Sequence, residues 1–261
     1  MAAEPTRVLI LGGTGEALAL ARALEGEPGL DAIYSVAGAT RAPRLPALAT
    51  RRGGFGGTAG LTGYLYRHGI ECLVDATHPF AARISANAAE ATRAAGIPLL
   101  AVQRPGWTPG PGERWQRVAD TAAAARALGR EPRRVLLTIG RQEVPAFCAA
   151  PQHTYIIRCV EPPERAPPCA EPLLQRGPLR YAEERALLHE RAVEVLVTKD
   201  AGGTATRSKL DAARDCGVAV VMVERPRLPA AAHTVATPAE ALGWLRALSN
   251  RDDRWADGVY R

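Results

Sequence analysis

Two stretches of this chain repeat each other, and this repeat limits the possible folds more than any other feature of the sequence. Residues 7–17, RVLILGGTGEA, and residues 134–144, RVLLTIGRQEV, both have the pattern of a buried strand, a tight turn and a helix start. One offset aligns the two stretches along their whole length, so the chain contains two copies of one local unit. The aligned pairs include Gly13 with Gly140 and Glu16 with Glu143.

The repeat continues downstream of these segments. Residues 71–105 match residues 194–226 with a two-residue gap, and each segment runs from strand to loop, helix, glycine-containing turn, strand and Arg-Pro. Each half then closes with a short valine segment and an alanine-rich helix, at 117–128 and 234–245. Strand–helix alternation is common, so two unrelated halves could look alike. The agreement of turn residues, charge positions and order favours true duplication.

Continuous Val, Leu and Ile strands that alternate with helices are typical of parallel sheets covered on both faces. We therefore predict an α/β protein of two similar Rossmann-like halves with parallel sheets. Because ligands of such sheets bind at the carboxyl ends of the strands, we expect an active-site cleft between the halves. A polar connector at 129–133 places the boundary between a first domain, 1–130, and a second, 131–261, which ends in a polar tail at 249–261.

Composition and charge exclude several classes of function. The formal charge of +6 suits nucleic acid or a polyanionic small molecule, but the arginines occur singly and no basic run is present, which argues against nucleic acid. No apolar stretch approaches the roughly 20 residues needed to cross a bilayer. The N-terminus lacks the pattern of a signal peptide. We therefore predict a cytoplasmic protein without membrane attachment, present as a monomer or weak dimer.

Cysteine and histidine usage gives no sign of a metal site. The five cysteines and five histidines are dispersed, with no CxxC pair and no ligand-like spacing. Reduced thiols are the expected state of such cysteines in a cytoplasmic protein. The sequence therefore predicts neither a structural metal nor a disulfide framework.

The turn after the first strand is a candidate dinucleotide site. Glycines let backbone N–H groups approach a pyrophosphate, and the dipole of the following helix favours an anion. The spacing is not GxGxxG, so a purely structural turn is the alternative. The second half has IGRQE at this point and loses the glycines, which favours the first half as the cofactor half. The turn comprises Gly12, Gly13, Thr14, Gly15 and Glu16.

The loop after the second strand favours NADPH over NADH. No Asp or Glu occurs between Asp31 and Glu71, where NAD-specific proteins usually carry an acidic residue for the ribose hydroxyls. Basic residues there can instead pair with a 2′-phosphate. A solvated arginine-rich loop is the alternative interpretation. The segment supplies Gly38, Thr40, Arg41 and Arg44, with Arg51 and Arg52 following.

Two further loops, THPF and TKDAGG, lie at the ends of predicted strands, where such folds place functional residues, and a third, GGFGG, precedes a short helix. Lys199, one of two lysines in the chain, ends a strand and could pair with a substrate carboxylate or donate a proton; an exposed salt bridge is the alternative. His78 is the second catalytic candidate, with a structural role equally open, and Asp200 is the third. The remaining cofactor-binding candidates in these loops are Gly56 and Gly57 of GGFGG and Thr77 of THPF.

These strings together resemble the precorrin-6A reductase family of the cobalamin pathway, including its cobalt-precorrin counterpart. The resemblance implies two Rossmann-like domains and NADPH-dependent reduction of one double bond in a methylated corrin precursor, with NADPH on the first half. The many carboxylates of that tetrapyrrole substrate would suit an arginine-rich protein. The resemblance is carried by LILGGTGEA, GGFGG with Gly60 and Leu61, DATHPFAARIS, LTIGRQE, Gly177 with Glu183, Glu184 and Leu187, and TKDAGG with Lys209, Ala212, Ala213 and Arg214.

The chain departs from the family pattern at two points. Ala39 stands where an arginine is usual, so the 2′-phosphate contact falls to Arg41 or a neighbour. Asp200 and Ala201 replace Asn and Ser in the lysine loop. Other enzyme classes fit less well, since neither a Tyr-x-x-x-Lys pair nor a GxSxG motif occurs. The alternative from a different class is a non-catalytic two-lobed protein that binds an acidic metabolite.

Overall fold

The computed structural model of the chain describes residues 4–38, 45–175, 177 and 179–250. Within these residues, twelve strands form two six-stranded sheets, and all the strand pairings are parallel. The strands in chain order are β1 (Thr6–Leu11), β2 (Leu30–Val36), β3 (Ala49–Arg52), β4 (Cys72–Asp75), β5 (Leu99–Val102), β6 (Trp115–Val118), β7 (Arg134–Thr138), β8 (Thr154–Cys159), β9 (Ala170–Leu174), β10 (Val195–Lys199), β11 (Ala219–Val223) and β12 (His233–Val235).

Helices follow eight of these twelve strands, which confirms the predicted α/β class with two parallel sheets. The segment after β7 is a 3-10 helix, Arg141–Ala149, where the first half has an α-helix. The α-helices are α1 (Gly15–Ala23), α2 (Gly57–Arg67), α3 (Ala82–Ala95), α4 (Thr121–Ala127), α5 (Tyr181–Glu190), α6 (Ser208–Asp215) and α7 (Pro238–Ser249).

The two sheets have the same strand order, but each takes one strand from the other half of the sequence. The orders are β12-β5-β4-β1-β2-β3 and β6-β11-β10-β7-β8-β9. After β5 the chain leaves the first sheet, and β6 pairs with β11. After β11 it returns, and β12 pairs with β5. The last strand of each half therefore completes the sheet of the other half.

This exchange moves the domain boundary away from residue 130. One compact unit comprises the described residues up to Arg104 together with those from Arg227 onward, and the other runs from Pro105 to Pro226. The polar connector at 129–133 thus lies inside the second unit rather than between two domains. The sequence pattern did not indicate this, because β6–α4 and β12–α7 look alike locally and their pairing partners are distant.

Strand β1 shows why the central strands are continuously apolar. Val8 and Ile10 belong to one buried cluster together with Leu20 of α1. Leu9 points to the opposite face and belongs to a second cluster with Leu61 of α2. All five side chains are fully buried, and each contributes roughly 1.5–3 kcal/mol relative to an exposed position. Both faces of the strand are therefore covered, as the sequence predicts.

The strand registers agree with the sequence repeat. In the first sheet Leu11 of β1 pairs with Asp75 of β4. In the second, Thr138 of β7 pairs with Thr198 of β10. These are the positions that the repeat aligns, so the two halves are equivalent strand by strand as well as in sequence.

The C-terminal helix extends one residue into the predicted tail. The Ser249 hydroxyl donates a 2.7 Å hydrogen bond to the carbonyl of Gly29, and α7 ends at Ser249. The remainder of the predicted tail, 251–261, lies outside the described residues. In the part of the chain that is described, no helix is long and apolar enough to cross a membrane.

Candidate functional site

The strand order of the first sheet places a ligand crevice beside β1. The chain proceeds from β1 to β2 and β3 on one side, and β4 then lies on the other side of β1. In open parallel sheets this reversal leaves a crevice at the carboxyl ends of the two strands. The loops that border it are residues 12–14 after β1 and residues 76–78 after β4.

Glycines are required in the loop after β1. A Cβ on Gly12 would lie 2.4 Å from the ring of Tyr34, which is itself buried. Gly13 has a φ of +108°, which L side chains rarely adopt, and the space where its Cβ would lie is open. The Gly13 N–H donates to the Tyr34 hydroxyl at 3.1 Å. Tyr34 therefore shapes this turn, although no sequence motif pointed to it.

Thr14 joins the two loops of the crevice. Its Oγ1 donates to the carbonyl of Ala76 at 2.7 Å and accepts from the N–H of Ala17 at 3.1 Å. The second bond makes Thr14 the N-cap of α1, which begins at Gly15. The first N–H groups of a helix lack intrahelical partners and attract anions. The turn therefore places the first N–H groups of α1 at the switch point of the sheet.

Glu16 lies in the first turn of α1 and is paired within the protein. Its carboxylate lies 2.6 Å from Nη1 of Arg104, which follows β5. The pair neutralises an acidic charge at a helix N-terminus where an anion is expected to bind. Sequence reasoning selected Glu16 but missed Arg104, whose signal was the Arg-Pro that closes both repeats.

The ends of β2 and β3 adjoin at two glycines. Gly38 has a φ of +80°, and the space for its Cβ lies 3.9 Å from the backbone nitrogen of Gly53. The predicted 2′-phosphate contacts Thr40 and Arg41, with Arg44, lie outside the described residues. The glycine loop after β3 therefore borders the segment from which those contacts would come.

Arg51 holds the GGFGG loop in shape. Its guanidinium donates to Ser35 Oγ at 3.0 Å and to the carbonyls of Gly53 and Gly54 at 2.8 and 3.0 Å. Its Cζ lies 3.7 Å from the ring centroid of Phe55. Burial lowers the pKa of Arg51, but an arginine stays charged at neutral pH. Arg51 therefore has a structural role in this loop.

The same loop opens α2 without a side-chain cap. Gly56, the N-cap, has a φ of +82°, Gly57 has a φ of +84°, and nothing lies within 4 Å of either Cβ position. In contrast, a Cβ on Gly60 would lie 1.7 Å from the carbonyl oxygen of Phe55. The loop therefore packs tightly against its own helix and leaves the helix N-terminus open.

The loop after β4 is held by its own side chains. Asp75 is buried and accepts hydrogen bonds from the backbone N–H and the hydroxyl of Thr77, at 3.1 and 2.7 Å. His78 Nδ1 accepts from the N–H of Phe80 at 3.2 Å. In a neutral imidazole the proton is then on Nε2. His78 can therefore act as a donor through Nε2.

The strand order of the second sheet reverses in the same way, between β7 and β10, but different side chains lie at the ends of these strands. Lys199, at the end of β10, forms an ion pair with Glu143 of the 3-10 helix, and the Lys199 side chain is 16% exposed. Gly140 precedes that helix with a φ of +92°. The structure thus brings Lys199 to the carboxyl edge predicted from the sequence and gives it a partner that sequence reasoning had not assigned.

Asp200 has a different environment from that of Lys199. Its carboxylate is buried and accepts from the N–H of Trp107 at 2.9 Å and from Arg117 at 3.2 Å. A Cβ on Gly106 would lie 2.8 Å from one of its oxygens. Both carboxylate oxygens therefore anchor the segment that leads into β6. These contacts favour a structural role for Asp200 over the catalytic role predicted from the sequence.

A group of buried charges lies in the second unit, and sequence reasoning did not bring its members together. Arg158 of β8 pairs with Glu184 of α5 at 2.7 Å, and both are nearly inaccessible. Lys209 of α6 is also buried, with Nζ 5.2 Å from the ring centroid of Trp107. Burial, reinforced by Arg158 and opposed by Glu184, lowers the pKa of Lys209 to about 7.

Among the described residues, no cluster of His, Cys, Asp and Glu could hold a metal ion.

Comparison with known proteins gives one consistent result. The family model described as precorrin-6x reductase CbiJ/CobK matches residues 7–246. Precorrin-6A reductase of Rhodococcus erythropolis is 50% identical over 94% of this chain and 100% of its own length. Precorrin-6A reductase of Mycobacterium tuberculosis strain H37Rv is 43% identical over 94% and 100%. A solved structure, CobK precorrin-6A reductase, superposes with a TM-score of 0.88 at 45% identity, over 95% of this chain and 99% of that one.

Proposed function

Since the chain belongs to the CbiJ/CobK family of precorrin-6x reductases, we propose that it reduces precorrin-6A to precorrin-6B with NADPH as the hydride donor. The chain is an oxidoreductase of cobalamin biosynthesis that acts on a CH–CH group. Reduction of a double bond adds a hydride to one atom and a proton to its neighbour. The protein must therefore hold a hydride donor and provide a source of protons.

The observation that carries the cofactor assignment is the glycine turn at the first switch point. Gly13 and Gly15 leave open space where a Cβ would lie, and the N-terminus of α1 follows directly. The equivalent turn of the second unit has Ile139 and Gln142 in place of Gly12 and Gly15, and a 3-10 helix follows it. The loss of these glycines leaves less room for a pyrophosphate to approach the backbone of the second turn. We therefore assign the cofactor to the first unit.

The preference for NADPH over NADH rests on the segment after β2 and on the glycine loop that precedes α2. The segment after β2 contains no carboxylate and includes Thr40 and Arg41. Gly56 and Gly57 have open space at their Cβ positions, and the N-terminus of α2 adds backbone donors. A 2′-phosphate gains charge-assisted hydrogen bonds in such surroundings, whereas a ribose hydroxyl would find no acidic acceptor.

The substrate of this reaction is a macrocycle with many carboxylates, which suits a chain with a formal charge of +6. Lys199 is the proton donor in our proposal: its ammonium group gives a proton to the atom beside the one that receives hydride, and regains it from solvent. When bound, NADPH supplies the hydride. His78, with its Nε2–H, is the second candidate for the proton. The ammonium of Lys199 would also attract a substrate carboxylate.

We place the reaction in the cytoplasm, in a monomer or weak dimer. Cys72 and Cys159 are buried thiols, and the other three cysteines are free as well. Free thiols suit a reducing compartment, where NADPH is also the common reductant. Burial raises the pKa of both buried thiols, which keeps them protonated and unreactive.

Consumption of NADPH with precorrin-6A tests the proposal directly. We expect NADPH oxidation that depends on precorrin-6A, with a product heavier by two hydrogen atoms. NADH should support turnover poorly. Replacement of Arg41 by Ala should raise the Michaelis constant for NADPH and leave that for NADH nearly unchanged, because a charge-assisted contact contributes about 1.5–3 kcal/mol. A protein that binds precorrin-6A without consuming NADPH would be the non-catalytic binder instead.

A further inference from the structure

The two halves carry an acidic residue at the same position, but each half pairs it with a different cation. Glu16 and Glu143 are aligned by the repeat. Glu16 pairs with Arg104. Arg225, the repeat counterpart of Arg104, donates from Nε to the carbonyl of Asp200 at 2.9 Å. In the second half Glu143 forms an ion pair with Lys199.

We propose that Glu143 is the positioning residue for Lys199, which it holds at the carboxyl edge of the second sheet in the geometry needed for proton transfer. This inference rests on the proposed function, in which Lys199 is the proton donor. In the first half the position aligned with Lys199 is Ala76, so no side chain there competes for Glu16. The glutamate therefore pairs with a lysine only in the half that has a lysine at the end of the strand.

The local backbone gives Glu143 a fixed position from which to act. The Glu143 N–H donates to the carbonyl of Gly140, and the 3-10 helix that follows contains Pro145. Lys199 ends a strand, but its side chain has four rotatable bonds and a glycine-rich loop follows it. An ammonium group has three N–H donors. An ion pair with one carboxylate can therefore fix the amine and keep protons available.

The lysine loop is anchored independently of Glu143. Its backbone is held by the Asp200 N–H, which donates to the carbonyl of Val223 at 2.9 Å, and by Arg225 on the Asp200 carbonyl. Removal of the Glu143 charge should therefore leave the loop in place and free only the lysine side chain. Partly exposed ion pairs contribute little to stability, so the variant should fold normally.

A double-mutant cycle tests this role, since it separates an effect through Lys199 from a general one. We expect Glu143→Gln to lower kcat roughly tenfold, as misplacement of a reacting group does, with the Michaelis constant for NADPH unchanged. Glu143→Asp, which keeps the charge, should recover part of the loss. In a Lys199→Ala background, Glu143→Gln should change kcat less than about twofold. Glu171→Gln is the matched control, since Glu171 forms an exposed pair with Arg191 in the same unit.

The outcomes separate failure of this inference from failure of the proposed function. If Lys199→Ala lowers kcat but Glu143→Gln does not, or if Glu143→Gln lowers kcat equally in both backgrounds, Glu143 does not act through Lys199. If Lys199→Ala itself turns over at the unmodified rate, then Lys199 is not the proton donor, and the positioning role is overturned with it. Absence of NADPH oxidation by the unmodified protein would contradict the proposed function itself.

Discussion

Among single residues, Lys209 carries an electrostatic cost because its ammonium group is buried. Its side chain is buried between Trp107, Arg158 and Glu184, and Glu184 is already paired with Arg158. The desolvated ammonium is therefore poorly compensated, which is why its pKa falls to about 7 from an ordinary value of 10.5. A cost of this kind depends on pH.

Replacement of Lys209 by Met should stabilise the protein in a pH-dependent way. Between pH 10.5 and about 7 the unfolded chain binds the Lys209 proton and the folded protein does not, so the native protein loses stability as pH falls through this window. The Lys209→Met variant has no ionisable group at this position and does not lose stability in this way. Its advantage in unfolding free energy should grow by up to about 1.4 kcal/mol per pH unit toward pH 7, and then level off.

Urea denaturation across that pH range measures the difference. Arg185→Met, on the exposed face of α5, is the control and should show no such slope. A constant difference between Lys209→Met and the unmodified protein at all pH values would mean that Lys209 titrates normally in the fold.

At the scale of elements, the β1–α1 connection contributes to stability and, in our proposal, to cofactor binding. Thr14 caps α1 and also donates to the buried carbonyl of Ala76, the first residue after β4. Loss of an N-cap costs about 1 kcal/mol, and a buried carbonyl without a partner adds about 1–3 kcal/mol. One side chain therefore fixes both sides of the crevice.

Thr14→Ala should lower the unfolding free energy by about 2 kcal/mol or more and weaken NADPH binding, because the two loops lose their link. Thr14→Ser should retain both properties. Thr237→Ala removes the cap of α7, which bonds to the Glu240 N–H, and should cost about 1 kcal/mol with no effect on NADPH affinity. Chemical denaturation and calorimetric titration would measure the two effects. Equal NADPH affinity in Thr14→Ala and the unmodified protein would show that Thr14 does not shape the cofactor site.

The local elements were predictable from the sequence because their signals are local. The apolar run of β1 and the glycines after it predicted a strand and a turn, and the repeat of the segment predicted an equivalent strand in the second half. The side-chain partners were not predictable in this way. Asp200 meets Trp107 from 93 positions away along the chain, and Tyr34 meets Gly13 across two strands. Such contacts depend on tertiary packing, which the local pattern does not encode.

At the scale of the whole molecule, the exchange of the last strands determines which pieces of the chain can fold alone. The second unit is continuous from Pro105 to Pro226 and contains all six strands of its sheet. The first unit depends on β12 and α7 from the C-terminal end. The predicted boundary at residue 130 did not take this exchange into account. The short segment Trp115–Val118 has no local sequence feature that indicates which strand it pairs with.

Fragments of the chain should behave accordingly. A fragment of residues 105–226 should unfold cooperatively in urea, since it retains its sheet and its buried cluster. A fragment of residues 1–130 lacks Ala241 and Leu245, which are fully buried in the first core, and should show no cooperative transition. A cooperative transition in the second fragment and none in the first would contradict the division of the molecule described above.

The position of bound NADP⁺ tests the central claim most directly, that the first unit holds the cofactor of a precorrin-6A reductase. A crystal structure of the complex should place the pyrophosphate at Gly12–Glu16, beside the N-terminus of α1, and the adenosine 2′-phosphate near Gly38 and Arg41. A pyrophosphate bound at residues 139–143 of the second unit, or no NADP⁺ bound by a protein that folds normally, would contradict the account.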